Sequence, residues 1–182
     1  MANKKRPNSL RLADYDYAQA GAYFITTVIK GRKNLLSKIV AGSVQLSVFG
    51  QAVQEVWQGL PEHYQNLRLD DFIVMPDHVH GILFLREDPS DLQRTVGAGL
   101  RPAPTPKRVT APIPQADLPE IVRALKSFSS RRINELRASP GETVWQRGYY
   151  DRVIRSEAEL NEIRDYIRTN PLRWTLRLEG RT

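Results

Sequence analysis

Apolar positions along the chain change their period several times, and each change marks an element. Residues 23–29 (Tyr-Phe-Ile-Thr-Thr-Val-Ile) are β-branched and aromatic and predict a first strand. A weak strand pair is expected over 38–46, turning at Ala41-Gly42-Ser43. Ser47 then caps a helix to about Tyr64, with Val48, Ala52, Val56 and Leu60 at helical spacing and Pro61 near its end. Two apolar runs, 67–75 and 78–85, meet at Pro76-Asp77, which predicts a hairpin. The helical period returns over 118–137, where Leu118, Ile121, Val122, Leu125, Phe128 and Leu136 form a stripe. Residues 144–154 read as a strand carrying aromatics. Ser156 caps a last helix, with Glu159 completing a capping box and Leu160, Ile163 and Ile167 as the buried stripe. Pro171 is expected to end that helix at Asn170. Mixed elements with hairpin links predict an α+β fold, an antiparallel sheet carrying helices on one face.

Two stretches break the pattern. Residues 1–20 are polar and basic and read as an arm, in which Arg11, Tyr15 and Tyr17 suit contact with a phosphate backbone and its bases; a solubilising tail fits the same composition. Residues 86–116 hold five prolines between Pro102 and Pro114, with Gly97 and Gly99 before them, and predict an extended insertion or linker. The remainder, about 21–175, forms one domain, followed by a tail at 176–182. A formal charge of +7 over 182 residues points to a polyanionic partner, nucleic acid before an anionic membrane. With no cysteine there are no disulfides and no thiolate zinc sites. No apolar run is long enough to span a bilayer, and residues 1–7 lack the apolar core of a signal peptide, so a cytoplasmic location is expected.

Candidate chemistry gathers in two places. In His78-Val79-His80 the strand alternation turns both imidazoles to one face, the arrangement a divalent metal needs for two ligands. Spacing alone fits a pair of locally hydrogen-bonded histidines equally well. On the last helix, Tyr166 and Asn170 lie one turn apart beside the apolar stripe. If that helix packs near the hairpin, Asn170 becomes a third metal ligand; otherwise Tyr166 edges the core and Asn170 caps the helix. A phenol holds its proton at neutral pH, so Tyr166 acts as a nucleophile only where a neighbour favours its anion. Tyr149 and Tyr150 compete for that role, although their strand beside Trp145 suits packing or base stacking.

These segments together resemble a known family. Val-Met-Pro-Asp-His-Val-His-Gly-Ile (74–82) is similar to the His-hydrophobic-His strand of the single-tyrosine insertion-sequence transposases. Leu-Lys-Ser-Phe (125–128) and Arg-Arg-Ile-Asn (131–134) resemble their basic helix. Trp-Gln-Arg-Gly-Tyr-Tyr-Asp-Arg-Val-Ile-Arg (145–155) and Asp-Tyr-Ile-Arg-Thr-Asn-Pro (165–171) are similar to the branch called REP-associated tyrosine transposases. The likeness runs from about Gly21 to Pro171 and spares the proline-rich insertion. It implies a ferredoxin-like fold with His78 and His80 on a central strand. It further implies Mg²⁺ or Mn²⁺ as cofactor, Tyr166 as nucleophile and Asn170 as further metal ligand. Members of the family cut single-stranded DNA beside hairpin-forming repeats, leaving a 5′-phosphotyrosine and a free 3′-OH.

The expected function is therefore a metal-dependent single-stranded DNA endonuclease and strand transferase, acting as a monomer or homodimer. A nucleic-acid-binding protein that keeps the fold without the chemistry is the alternative, and a zinc hydrolase a distant third. Besides the arm, the expected DNA contacts are Arg32, Lys33, Arg123, Lys126, Arg131, Arg147 and Tyr150.

Overall fold

A computed structural model describes residues 20–86 and 116–179. The expected arm, with Arg11, Tyr15 and Tyr17, and almost all of the expected insertion lie outside these residues. The β-branched run forms β1 (Gly21–Val28). A small hairpin follows, β2 (Ser37–Val40) and β3 (Ser43–Leu46). Its two-residue turn, Ala41-Gly42, has positive φ at both positions, 48° and 73°. That is the backbone twist a two-residue hairpin needs. The Ser47 hydroxyl accepts from the Gly50 N–H at 3.1 Å and starts α1 (Val48–His63). Next come β4 (Leu67–Val74), β5 (His78–Leu85), α2 (Leu118–Leu136), β6 (Tyr150–Ile154) and α3 (Glu157–Glu179).

The main sheet has the order β4-β5-β1-β6, with every neighbouring pair antiparallel. With the β2–β3 hairpin set aside, the chain runs strand, helix, strand, strand, helix, strand, which is the ferredoxin-like arrangement. β5 and β1 are the inner strands, so the histidines stand at the start of an inner strand. β4 and β5 are joined by the expected Pro76-Asp77 turn, closed by Met75 N–H donating to the His78 carbonyl at 2.9 Å.

Alternation along β1 and β5 divides the interior in two. Tyr23, Ile25, Leu83 and Leu85 pack on Trp57 and Leu60 of α1 and on Ile121 and Leu125 of α2. Phe24, Ile82 and Phe84 turn the other way, onto Leu160, Ile163 and Ile167 of α3. The expectation of helices on one face therefore holds for α1 and α2 and is corrected for α3, which covers the opposite face. Both faces of β5 are thereby covered, and after His80 the strand reads as one near-continuous apolar run rather than a clean alternation.

Other expectations shift for local reasons. In α1 Val48 is 58 % exposed, while Val53 and Trp57 are buried. In α2 Phe128 and Leu136 sit at the edge, at 37 % and 47 % exposure, while Ser129 and Ile133 are buried. The Ser129 hydroxyl satisfies the indole N–H of Trp145 at 3.0 Å, which is how a serine comes to lie in the core. The expected strand over 144–154 shortens to β6. Residues 144–146 still pair with the end of β1, where Trp145 bridges Ile29, Lys30 N–H donates to the Val144 carbonyl and Gln146 N–H to the Val28 carbonyl, each at 2.8 Å. Gly148 at φ 78° then interrupts the strand, and the Lys126 ammonium takes the carbonyls of Gln146 and Gly148 at 2.7 and 2.8 Å. Pro171 does not end α3, which runs on to Glu179, through the start of the expected tail. Proline removes one backbone donor, and here the buried Pro171 and the packing on either side of it carry the helix through.

Gly81 lies between His80 and Ile82, and a Cβ there would come within 2.7 Å of Trp57 Cη2 and 3.0 Å of Phe72 Cδ2. Those two rings stack at 4.4 Å and have little room to yield. Gly81→Ala is expected to destabilise the fold by about 1–3 kcal/mol, read as a lower denaturation midpoint in urea.

Candidate functional site

The paired strands place the candidate residues before any side-chain packing does. Thr26 of β1 stands opposite His80 of β5, and Val28 opposite His78. Thr26 Oγ1 lies 2.8 Å from His80 Nδ1. On the other imidazole, His78 Nδ1–H donates to Asp77 Oδ1 at 2.5 Å, and Arg32 Nη1 donates to the second Asp77 oxygen at 3.2 Å. With each Nδ1 engaged by an oxygen, the two Nε2 atoms converge, 3.1 Å apart. Among the described residues no cluster of three or more His, Asp or Glu side chains forms a metal cage. The donor set here is two imidazoles and whatever α3 brings.

Burial sets the protonation of this pair. His80 is 5 % exposed, and loss of hydration, with His78 beside it, pushes its pKa down to about 3. Burial lowers His78 too, against the Asp77 carboxylate, which raises it; the positive charges of Arg32 and Arg177 add to the lowering. Both rings are therefore driven toward the neutral form, the form that ligates metals. When both Nδ1 atoms carry the proton, two Nε2 lone pairs face each other. Two imidazole nitrogens about 2.1 Å from one cation and about 90° apart would themselves stand about 3 Å apart, so the observed spacing fits one divalent ion. The Thr26 hydroxyl can either donate to or accept from His80 Nδ1, and so suits the ring with or without an ion.

Helix α3 closes over the pair. The Tyr166 ring meets His80 at 5.3 Å between centroids and an angle of 64°, and meets Phe24 edge-on at 6.2 Å. Phe24 also stacks on His80 at 5.2 Å. Two turns further on, Trp174 meets His78 at 5.9 Å. Asn170 lies one turn beyond Tyr166 and one turn before Trp174, and is 7 % exposed. The Arg173 guanidinium carbon lies 5.4 Å from the Tyr166 ring centroid.

What fixes α3 at this height is a defect in β4. The register slips between Leu69 and Phe72, so Asp70 and Asp71 bulge toward the helix. Arg164 grips both oxygens of Asp70 at 2.9 and 2.7 Å, and Arg168 Nε stands 2.8 Å from Asp71. Arg164 chiefly, through its hydrogen bonds, holds the Asp70 carboxyl below the usual range. Tyr166 lies between the two arginines in sequence, so its ring position is set by a two-fingered clamp.

Among the described residues, those expected to contact DNA fall in separate places. Arg32 serves Asp77 at the histidine end of the sheet, and Lys33 follows it, exposed. Arg123, Lys126 and Arg147 line a groove between α2 and the 143–149 loop, where Arg123 is paired with Glu120 and the Lys126 ammonium is spent on two carbonyls. Arg131 lies over the Phe128 ring at 4.8 Å, in the cleft toward α1. Tyr149 packs at the edge of the α1–α2 core, away from the histidines, whereas Tyr150 stands exposed opposite Thr26. Sequence reasoning missed Thr26, the Asp70–Asp71 clamp and Trp174. Strand register and helix continuation place these residues, and neither leaves a local signal.

Comparison with known proteins bears on this site. The family model for IS200-like transposases matches residues 109–170, a span that holds Tyr166 and Asn170 but stops short of the histidine strand. An uncharacterized protein of Haemophilus influenzae is 32 % identical over 169 residues, covering 91 % of this chain and 88 % of that one. A solved REP-associated tyrosine transposase bound to a REP hairpin shares the fold, with a TM-score of 0.55 and 18 % identity over 89 % of this chain and 74 % of that one.

The depressed His80 pKa has a readable sign. Above about pH 6.5 folded and unfolded chains both hold a neutral ring; below it the unfolded chain takes up a proton the folded one refuses, so stability falls from about pH 6.5 toward 3. By NMR the His80 ring resonances should stay constant from about pH 8 to 5, and a midpoint near 6.5 would contradict the burial account. For the clamp, Arg164→Met is expected to cost about 1–3 kcal/mol, measured by thermal or urea unfolding.

Proposed function

This chain belongs to the IS200-like transposase family, and from that premise we propose that it is a metal-dependent single-stranded DNA endonuclease and strand transferase. The substrate proposed is DNA beside a hairpin-forming repeat, by analogy with the hairpin bound to the solved REP-associated transposase. The observation that carries the reading is one constellation. Two neutral imidazoles direct their Nε2 atoms to a common point 3.1 Å across, and a phenol ring stands 5.3 Å from one of them.

In the proposed mechanism His78, His80 and Asn170 would hold Mg²⁺ or Mn²⁺. Such an ion would neutralise charge on the scissile phosphate and orient it for in-line attack. Tyr166 supplies the nucleophilic oxygen: its proton passes to water, its bond to phosphorus forms as the bond from phosphorus to the 3′ oxygen breaks, and the departing 3′ oxygen takes a proton from water. The strand leaves with a free 3′-OH, and the phosphate stays on the tyrosine as a 5′-phosphotyrosine. Attack by another 3′-OH reverses the step and joins strands without an external energy source. Asp77, fixed by Arg32, holds His78 in the tautomer that frees Nε2, and Thr26 does the same for His80. Arg173, over the Tyr166 ring, is positioned to meet the strand's phosphates. A DNA-binding protein without the chemistry would share the basic surface but would have no use for converging imidazoles beside a buried asparagine.

A labelled single-stranded hairpin oligonucleotide incubated with Mn²⁺ should give a protein–DNA adduct that survives denaturant. Tyr166→Phe is expected to abolish the adduct while binding the hairpin within about threefold of the parent. An adduct retained by that variant would move the nucleophile to Tyr150 or Tyr149. Binding measured against salt should fall steeply and linearly in log–log form, as counterion release requires.

A further inference from the structure

The three tryptophans of the chain are not equivalent. Trp57 and Trp145 are 2 % and 4 % exposed; one stacks on Phe72 and the other hydrogen-bonds Ser129, and both are core residues. Trp174 is only partly covered, and its indole tilts against His78 at 40°. It reaches the site because α3 continues through Pro171. The flanking Arg173 and Arg177 are exposed.

A second ring stands near the histidines, across the sheet. Thr26 pairs with His80 on one flank and with Tyr150 on the other, so His80, Thr26 and Tyr150 form one row across three strands and share the α3 face. β6 is an edge strand, and Tyr150 is 49 % exposed there. Two strand spacings put it about 10 Å from His80 along the sheet. The histidine pair thus has a partly covered indole against His78 on the helix side and an exposed phenol two strands from His80 at the sheet edge.

We infer that Trp174 and Tyr150 are stacking platforms for the unpaired bases on the two sides of the phosphate held at the histidine pair. This inference rests on the reading that the site processes single-stranded DNA. A base can lie on an aromatic face only when it is unstacked and unpaired, so the two rings select single strand over duplex at the point of cleavage. A strand that uses both rings runs past the histidines, from α3 beside His78 to the β6 edge.

The chain reports on itself, because the two other tryptophans are buried. Full-length protein titrated with an unpaired oligonucleotide in Mg²⁺ should lose part of its tryptophan emission, and a fully paired duplex should leave emission nearly unchanged. Trp174→Phe should abolish the quench while largely keeping affinity, since phenylalanine still offers a ring. Trp174→Ala and Tyr150→Leu should each weaken single-strand binding about tenfold, by anisotropy of the labelled strand, with hairpin-stem binding unaltered. A quench that persists in Trp174→Phe, or single-strand affinity that neither substitution changes, overturns the inference. If the wild type forms the adduct with Trp174 unquenched, only the platforms fail; if it binds no single strand and forms no adduct, the reading beneath them fails as well.

Discussion

Two imidazoles buried side by side, each tied at Nδ1 and free at Nε2, are the constraint to which the rest of the molecule conforms. Burial keeps both rings from charging, and hydrogen bonds to Asp77 and Thr26 fix which nitrogen faces inward. Neither partner is close by accident. Asp77 occupies the two-residue turn that starts β5, and Thr26 is the cross-strand neighbour that the β1–β5 register assigns. A one-residue slip of β1 would turn every one of its side chains to the opposite face and put Thr26 among the α1–α2 core residues. Packing elsewhere in the sheet therefore protects the chemistry: Tyr23 and Ile25 facing one core, and Phe24 the other, make that slip costly.

The second dependence is on α3. A ferredoxin-like sheet with two helices leaves one face open, and His78, His80, Ile82 and Phe84 would all look into water. α3 covers that face, contributes Leu160, Ile163 and Ile167 to a third apolar cluster, and lays Tyr166 against His80 and Trp174 against His78. Apolar contact alone would let such a helix slide or rotate. The Asp70–Asp71 bulge and its two arginine partners add directional contacts, and the bidentate Arg164 fork is the more exacting of the two. Stability of the exposed face and placement of the phenol are consequently the same problem, met by one helix.

Much of this was legible in the sequence, for reasons that can be named. The hairpin around Pro76-Asp77, the Ser47 and Ser156 caps and the Ala41-Gly42 turn are local chemistry, and the chain adopts each where its residues demand it. The alternation that put His78 and His80 on one face is equally local. What was illegible is nonlocal. Pro171 reads as a stop because proline lacks a donor, yet tertiary packing on both sides of it outweighs one missing hydrogen bond. The run 144–149 has strand propensity and bridges β1 at Trp145, but it breaks at Gly148, and Lys126, some twenty residues earlier in the chain, takes the carbonyls of Gln146 and Gly148. Thr26 carries no signal at all until strand pairing is known. Helix stripes were read to within a turn; Ser129 was passed over because its polar side chain hides a partner, Trp145, on another segment.

The central claim is that both Nε2 atoms bind one divalent cation. Pulsed EPR of the protein loaded with Mn²⁺ reads this directly through the modulation from directly coordinated ¹⁴N. Two equivalent histidine nitrogens are expected, falling to one in His80→Ala. A spectrum with no nitrogen coupling, at Mn²⁺ concentrations that saturate any binding, would contradict the account.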